Sequence, residues 1–276
     1  MFDAIQHIGY LVDDLDAAVA WFADSFGAEN AGGGTMPSSR IVPGGGRNAF
    51  VRFGGVEAEL MQPADTSTLP KSTLVMHHVG YVVSDIPKAV AMAKSRGLAF
   101  LADAPNTNPV GQQVLYFDPD TTNGVMIHLT KIPVTKVSVQ PSSGTAGTAP
   151  RIDSIVHAGY LVRDVELATA WYVEKLGGIR VGGGPSRRGG RIAFVDCGGA
   201  QVELIEPESP ASIGSAHILD HVGYVTRDLD ADIPAYRRRG LAFATDAPVV
   251  NPVGQKLIYF EPMTSMGSRM HLTQLP

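Results

Sequence analysis

Three histidines and one glutamate recur as a set in each half of this 276-residue sequence. His7 has its counterpart in His157, His78 in His221, His128 in His271, and Glu59 in Glu203. Only eight histidines occur, so just two, His77 and His217, stand outside the pattern. Three neutral imidazoles and one carboxylate, with no thiolate, form a borderline-to-hard donor set. It suits Zn, Mn, Fe(II), Co or Ni at four positions and leaves room for water or a substrate. A single histidine on a strand is more often a satisfied core residue than a ligand. A buried glutamate without a partner is costly, however, and the whole set occurs twice, which core packing alone does not explain. A divalent metal cofactor is therefore expected, with up to two ions per chain and no further cofactor.

The elements that must position these residues also repeat. His7-Ile8-Gly9-Tyr10, His78-Val79-Gly80-Tyr81, His157-Ala158-Gly159-Tyr160 and His221-Val222-Gly223-Tyr224 each open a short apolar strand that runs into an acidic helix start. Such internal copies mark a modular architecture. In the first module, Asp13-Asp14 begins a helix with Leu15, Ala18, Val19, Phe22 and Phe26 at helical spacing, and Gly27 ends it. Gly32-Gly33-Gly34 and Gly44-Gly45-Gly46 read as turns, and Ala49 to Phe53 and Val56 to Met61 as a hairpin, giving βαβββ. The second module has a strand from Met76 to Val83, Ser84 as N-cap, a helix from Pro87 to Arg96, and strands at Gln113 to Phe117 and Gly124 to Thr130. Modules three and four restate one and two: Asn108-Pro109-Val110-Gly111-Gln112 recurs as Asn251-Pro252-Val253-Gly254-Gln255. Pro, Ser, Thr and Gly dominate positions 133–150, which read as a linker between units at 1–132 and 151–276.

Residues two apart on a strand share a face. His128 therefore lies opposite Ile127 and Leu129, Glu59 opposite Ala58 and Leu60, and each strand tyrosine opposite its histidine. If the strands curl into a cup, the polar groups converge inside it. Tyr116 and Tyr259 are read chiefly as core, with a cup-lining hydroxyl as the lesser alternative. Glu57 shares the face of Glu59 and is a candidate base, but its counterpart is Gln201. Arg187, Arg188 and Arg191, loosely matched by Arg40 and Arg47, sit in Gly-rich segments and are read as solvated before they are read as an anion site. Gly182-Gly183-Gly184 is not followed by Gly-Lys-Ser/Thr and is no phosphate loop; it reads as a turn.

Composition bounds the rest. A net charge of −5 with 44% hydrophobic residues provides no single-sign field for nucleic acid or an anionic membrane. No apolar run reaches a membrane span, no export signal is evident, and the lone Cys197 excludes an internal disulfide, so a cytoplasmic location is expected. The expected partner is a small-molecule substrate, and the chain is either a monomer or a homodimer.

The His-x-Gly-Tyr strand openings, the Asp-Leu and Asp-Ile helix starts, Glu59-Leu60-Met61-Gln62-Pro63 and the Phe117-Asp118-Pro119 turn resemble the vicinal oxygen chelate superfamily. That group holds glyoxalase I, methylmalonyl-CoA epimerase, extradiol dioxygenases and the fosfomycin and bleomycin resistance proteins. The resemblance implies an α+β fold, with four βαβββ modules paired into two cup-shaped mixed β-sheet half-barrels and helices outside. It implies metal ligands His7, Glu59, His78 and His128 in one site, and His157, Glu203, His221 and His271 in the other. Met76-His77-His78-Val79 is most similar to the epimerase, where the second histidine is the ligand. His128 and His271 depart from the pattern, since epimerases, glyoxalases and dioxygenases usually carry a glutamate there.

This resemblance implies a metal-dependent lyase or isomerase in which two substrate oxygens chelate the ion and an enolate-like intermediate is stabilised. Glu59 or Glu203, leaving the metal, is then the base. An Fe(II) ring-cleaving dioxygenase and a binding or resistance protein without turnover are the alternatives. The sequence leaves module pairing open: one with two and three with four, or one with four and two with three. In the latter case His7 would join Glu59, His221 and His271.

Overall fold

The computed structural model describes residues 1–133, 151–186 and 189–276, and within them one unit appears four times. The first unit runs β1 (Ala4–Leu11), α1 (Leu15–Phe26), β2 (Glu29–Met36), β3 (Gly46–Phe53) and β4 (Val56–Pro63). The second runs β5 (Val75–Val82), α2 (Ile86–Ser95), β6 (Asn106–Thr107), β7 (Gln113–Tyr116) and β8 (Ile127–Lys131). The third comprises β9 (Ser154–Leu161), α3 (Val165–Leu176), β10 (Ile179–Pro185), β11 (Arg191–Asp196) and β12 (Gln201–Glu206). The fourth comprises β13 (Ile218–Val225), α4 (Leu229–Arg238), β14 (Val249–Val250), β15 (Lys256–Tyr259) and β16 (Met270–Gln274). The linker assigned to 133–150 falls, beyond Pro133, outside the described residues.

Module pairing follows from two antiparallel seams, β1 with β5 and β9 with β13. Module one therefore joins two, and three joins four. From the first seam the sheet extends through β4, β3 and β2 on one side and β8, β7 and β6 on the other. The β1–β4 and β5–β8 pairs, like β9–β12 and β13–β16 in the second half, are parallel and the rest antiparallel, so each cup is an open mixed sheet. A single pair, Ile5 with Ile155, connects the halves into a 16-stranded sheet.

Local chemistry accounts for the helices. Asp14 caps α1 by accepting from the Ala17 amide at 3.0 Å. Leu15, Ala18, Phe22 and Phe26 then turn one stripe inward, and Gly27 ends the helix at φ 67°. In α2 the cap is Asp85, accepting from Lys88 N at 2.9 Å, and not Ser84 as expected from the sequence. A carboxylate one residue on wins because it reaches the N3 amide and also meets the positive end of the helix dipole.

The strand tyrosines Tyr10, Tyr81, Tyr160 and Tyr224 are buried on the face opposite the histidines. The two halves share one core there: Phe26 of α1 packs on Tyr236 of α4 at a ring distance of 5.4 Å and on Phe260 at 5.8 Å. The hydroxyls of Tyr10 and Tyr224 lie 3.3 Å apart. The helices thus lie outside the cups, and the backs of the two cups meet across them.

The glycine runs require a correction. Gly32 to Gly34 and Gly182 to Gly184 are not turns but lie inside β2 and β10. The loops Asn108 to Gln112 and Asn251 to Gln255 come up against these strands, and a Cβ on Gly182 would run into the side chain of Val253. Close approach, rather than reversal of the chain, is what the glycines serve.

Candidate metal centres

Each candidate site is assembled around two glycines. At the first seam Gly9 is the cross-strand neighbour of both Glu59 and His78, while Gly80 neighbours both His7 and His128. Gly159 and Gly223 stand in the same relation to Glu203, His221, His157 and His271. With no side chain in the middle, four polar groups from four adjacent strands lean over the vacant positions and meet. In the sequence the glycine of His-x-Gly-Tyr marks the repeat, and its fixed spacing from the histidine is the signal for this role.

The Nε2 atom of His7 is 3.2 Å from those of both His78 and His128, and Glu59 Oε2 is 3.2 Å from His78 Nε2 and 3.7 Å from His7 Nε2. In the second half His157 Nε2 lies 3.1 Å from His221 Nε2 and 3.0 Å from His271 Nε2. Glu203 Oε2 is 3.1 Å from His221 and 3.2 Å from His157. All six imidazoles are at most 1% exposed, and both glutamates 8%. The structure thus brings together His7, Glu59, His78 and His128, and separately His157, Glu203, His221 and His271.

These groups fit a metal ion. Either triad could hold one, its three donor atoms lying within 4.8 Å of one another. Neighbouring ligands on an ion with bonds of about 2.0–2.1 Å stand roughly 3 Å apart, which is the spacing found. The rear nitrogens of His128 and His271 are compatible with the metal-binding tautomer. Nδ1 of His128 has Thr130 Oγ1 at 2.9 Å, and Nδ1 of His271 has Thr273 Oγ1 at 2.8 Å. With the proton on Nδ1, the Nε2 lone pair is turned toward the centre. Burial and the neighbouring histidines hold His128 and His271 well below the ordinary imidazole range, so both rings are neutral.

The carboxylates differ. Burial pushes Glu59 up despite His7 and a 2.6 Å hydrogen bond from Asn48 Nδ2. For Glu203, burial is outweighed by His157 and His221, which hold it well below the usual carboxylate range. The place of Asn48 is taken by Ile192.

Glu57 is held by Arg52, Gln6 and Gln112, and these bonds lower it against the effect of burial. It is joined through Gln6 to the rear of His7 and lies outside the cluster of Nε2 atoms. Tyr116 belongs to the cup: its hydroxyl is 3.3 Å from His78 Nε2 and its ring 4.6 Å from that of His128. Tyr259 lies likewise, 4.7 Å from the ring of His271. Their strands, β7 and β15, neighbour β8 and β16, and this pairing overrides the core reading. Arg40, Arg47 and Arg191 are engaged with acidic neighbours at the surface, while Arg187 and Arg188 lie outside the described residues. No helix among the described residues is long and apolar enough to cross a membrane.

Known proteins resemble this chain in sequence and in fold. A family model for the glyoxalase/bleomycin resistance protein/dioxygenase superfamily matches residues 6–116 and 156–260, once in each half. The mitochondrial methylmalonyl-CoA epimerase of Mus musculus is 28% identical over 134 residues, 45% of this chain and 71% of its own. The ethylmalonyl-CoA/methylmalonyl-CoA epimerase of Cereibacter sphaeroides is 26% identical over 139 residues, 48% of this chain and all of its own length. Among solved structures, the Mn(II)-bound glyoxalase of Novosphingobium aromaticivorans covers 99% of this chain, and is itself covered over 82%, with a TM-score of 0.66 at 15% identity. A halotolerant catechol dioxygenase matches over 100% of this chain and 87% of its own, with a TM-score of 0.63 at 14% identity. These two likenesses concern the fold.

Proposed function

Since the chain belongs to the glyoxalase/bleomycin resistance protein/dioxygenase superfamily, also called the vicinal oxygen chelate superfamily, we propose that it is a metal-dependent lyase or isomerase acting on a small molecule with two neighbouring oxygens. The observation that carries this reading is the convergence of three imidazole Nε2 atoms and one carboxylate in each cup. His7, Glu59, His78 and His128 would hold one divalent ion, and His157, Glu203, His221 and His271 a second. A bound ion supplies Lewis acidity, polarising a substrate carbonyl and easing loss of a proton from the adjacent carbon.

The chain's own residues account for the remaining steps. Glu59 and Glu203 are the groups placed to take and return that proton, as each cup holds one carboxylate among its imidazoles. The Tyr116 hydroxyl, beside His78, is placed to donate to a substrate oxygen, with Tyr259 at the corresponding position. The imidazoles and carboxylates are almost fully buried, and such low-dielectric surroundings would strengthen each of these interactions. Isomerisation is preferred to ring cleavage because the relatives matched by sequence are epimerases, whereas the catechol dioxygenase is similar in fold.

Metal analysis of the purified protein, followed by deuterium uptake from heavy water into methylmalonyl-CoA, tests the proposal. One or two divalent ions per chain are expected, together with exchange that is lost in Glu59→Gln/Glu203→Gln. A metal-free protein, or unchanged metal content in His7→Ala/His157→Ala, would sink the reading. Oxygen uptake with a catechol would replace it with the dioxygenase.

A further inference from the structure

The two centres share their four inner groups but not what stands behind them. In the second half Nδ1 of His221 lies 3.0 Å from Asp220 Oδ2, and Arg269 Nη1 donates to Asp220 Oδ1 at 2.6 Å. The Asp220 side chain is 7% exposed, so this is a built, largely buried Arg–Asp–His chain. In the first half the repeat places His77 where Asp220 stands and Met126 where Arg269 stands. His78 Nδ1 accordingly faces another imidazole, His77 Nδ1, at 3.0 Å.

The first half has its own carboxylate at the rear, but it is one group removed. Glu57 bonds Gln6, and it is the Gln6 carboxamide oxygen that meets His7 Nδ1. Their counterparts are Gln201 and Val156, neither of them a carboxylate. Among the described residues, only the second half places a carboxylate directly on a rear nitrogen, that of His221.

That difference has a known consequence. A carboxylate accepting from the rear N–H of a ligating imidazole fixes the ring and makes its other nitrogen more basic, and its loss costs on the order of 10–100-fold in metal affinity. A carboxamide or a neutral imidazole is a weaker acceptor, because the hydrogen bond is no longer charge-assisted. An arginine anchoring the carboxylate also removes its freedom to turn away.

We propose that the centre of His157, Glu203, His221 and His271 is the tighter of two unequal metal sites, and that Asp220, held by Arg269, is the positioning residue that makes it so. The inference rests on the metal-binding reading of both cups. The first-half centre, lacking that support, is the more readily exchanged one.

Titration of the metal-free full chain with Zn2+ against a chromogenic chelator tests this. Two classes of site are expected, separated by at least about tenfold. His157→Ala should remove the tight class and His7→Ala the weak one. Asp220→Asn should weaken the tight class by on the order of 10–100-fold and leave the weak class unmoved. Asp220→Glu should restore most of it, which a purely structural role would not predict. Arg269→Met, which copies the first half, should give a smaller loss and serves if Asp220→Asn fails to fold. His77→Asp should tighten the weak class. Two classes of equal affinity, or an Asp220→Asn protein with both classes unchanged, overturn this inference alone. A chain that binds no zinc overturns it together with the function proposed above.

Discussion

The imidazole of His78 lies directly over the backbone of Gly9, in the space where any other residue would carry its Cβ. His221 and Gly159 repeat the relationship in the second half. The ring thus reaches its ligand position only because the neighbouring strand has no side chain there. Gly9→Ala should displace His78 and empty the first-half site while sparing the second, lowering bound zinc by one ion per chain. The misfit should also cost about 1–3 kcal/mol of stability, the usual penalty for overpacking a buried position. Zinc stoichiometry and urea unfolding together check this; a variant that keeps its full zinc content would show that the ring has another route to the centre.

Asn48 gives a second prediction. Its amide donates to Glu59 Oε1 at 2.6 Å, and its carbonyl oxygen accepts from Gly34 N at 3.1 Å, so it ties the carboxylate to β2. In Asn48→Ile, the residue of the second half, a buried carboxylate oxygen and a backbone amide both lose their partner. The metal-free protein should be destabilised by about 1–3 kcal/mol, since a stranded buried polar group bears its full desolvation cost. An unfolding midpoint equal to that of the parent would show that Glu59 finds a substitute donor.

His217 supplies a pH test away from both centres. Its ring stacks on Tyr172 at 5.8 Å, its Nδ1 has no hydrogen-bond partner, and burial lowers it from 6.5 to about 4. The folded value lies below the unfolded one, so as pH falls from 6.5 toward 4 the unfolded chain takes up the proton first. The contribution to stability is full above 6.5 and is lost across that window. His217→Phe should therefore flatten the acid side of the stability profile between pH 6.5 and 4, as read by thermal unfolding at a series of pH values. Parallel profiles for the two proteins would place the acid sensitivity elsewhere.

Much of this architecture was legible in the sequence because it depends on local chemistry and strict repetition. Strand alternation put His7 and Tyr10 on opposite faces, and Gly27 ended α1 where a left-handed residue was needed. The pairing of like positions in the two halves singles out His7, Glu59, His78, His128 and their counterparts.

What the sequence could not decide was whatever depends on which strand lies beside which. Both module pairings give sites of identical composition, and only the β1–β5 and β9–β13 seams put His7 with His78 and His157 with His221. Tyr116 looked like core because an isolated strand does not show that its neighbour carries His128. For Glu57, period two gives the face but not Arg52, Gln6 and Gln112 around it. The inequality of the two centres is of the same kind. Asp220 and His221 stand on β13 and Arg269 immediately precedes β16, far away in the chain, so their chain of contacts exists only once these parallel strands lie side by side. Local periodicity fixes the face on which a side chain stands, whereas its partners are fixed by long-range pairing, and it is the partners that set charge, tautomer and affinity.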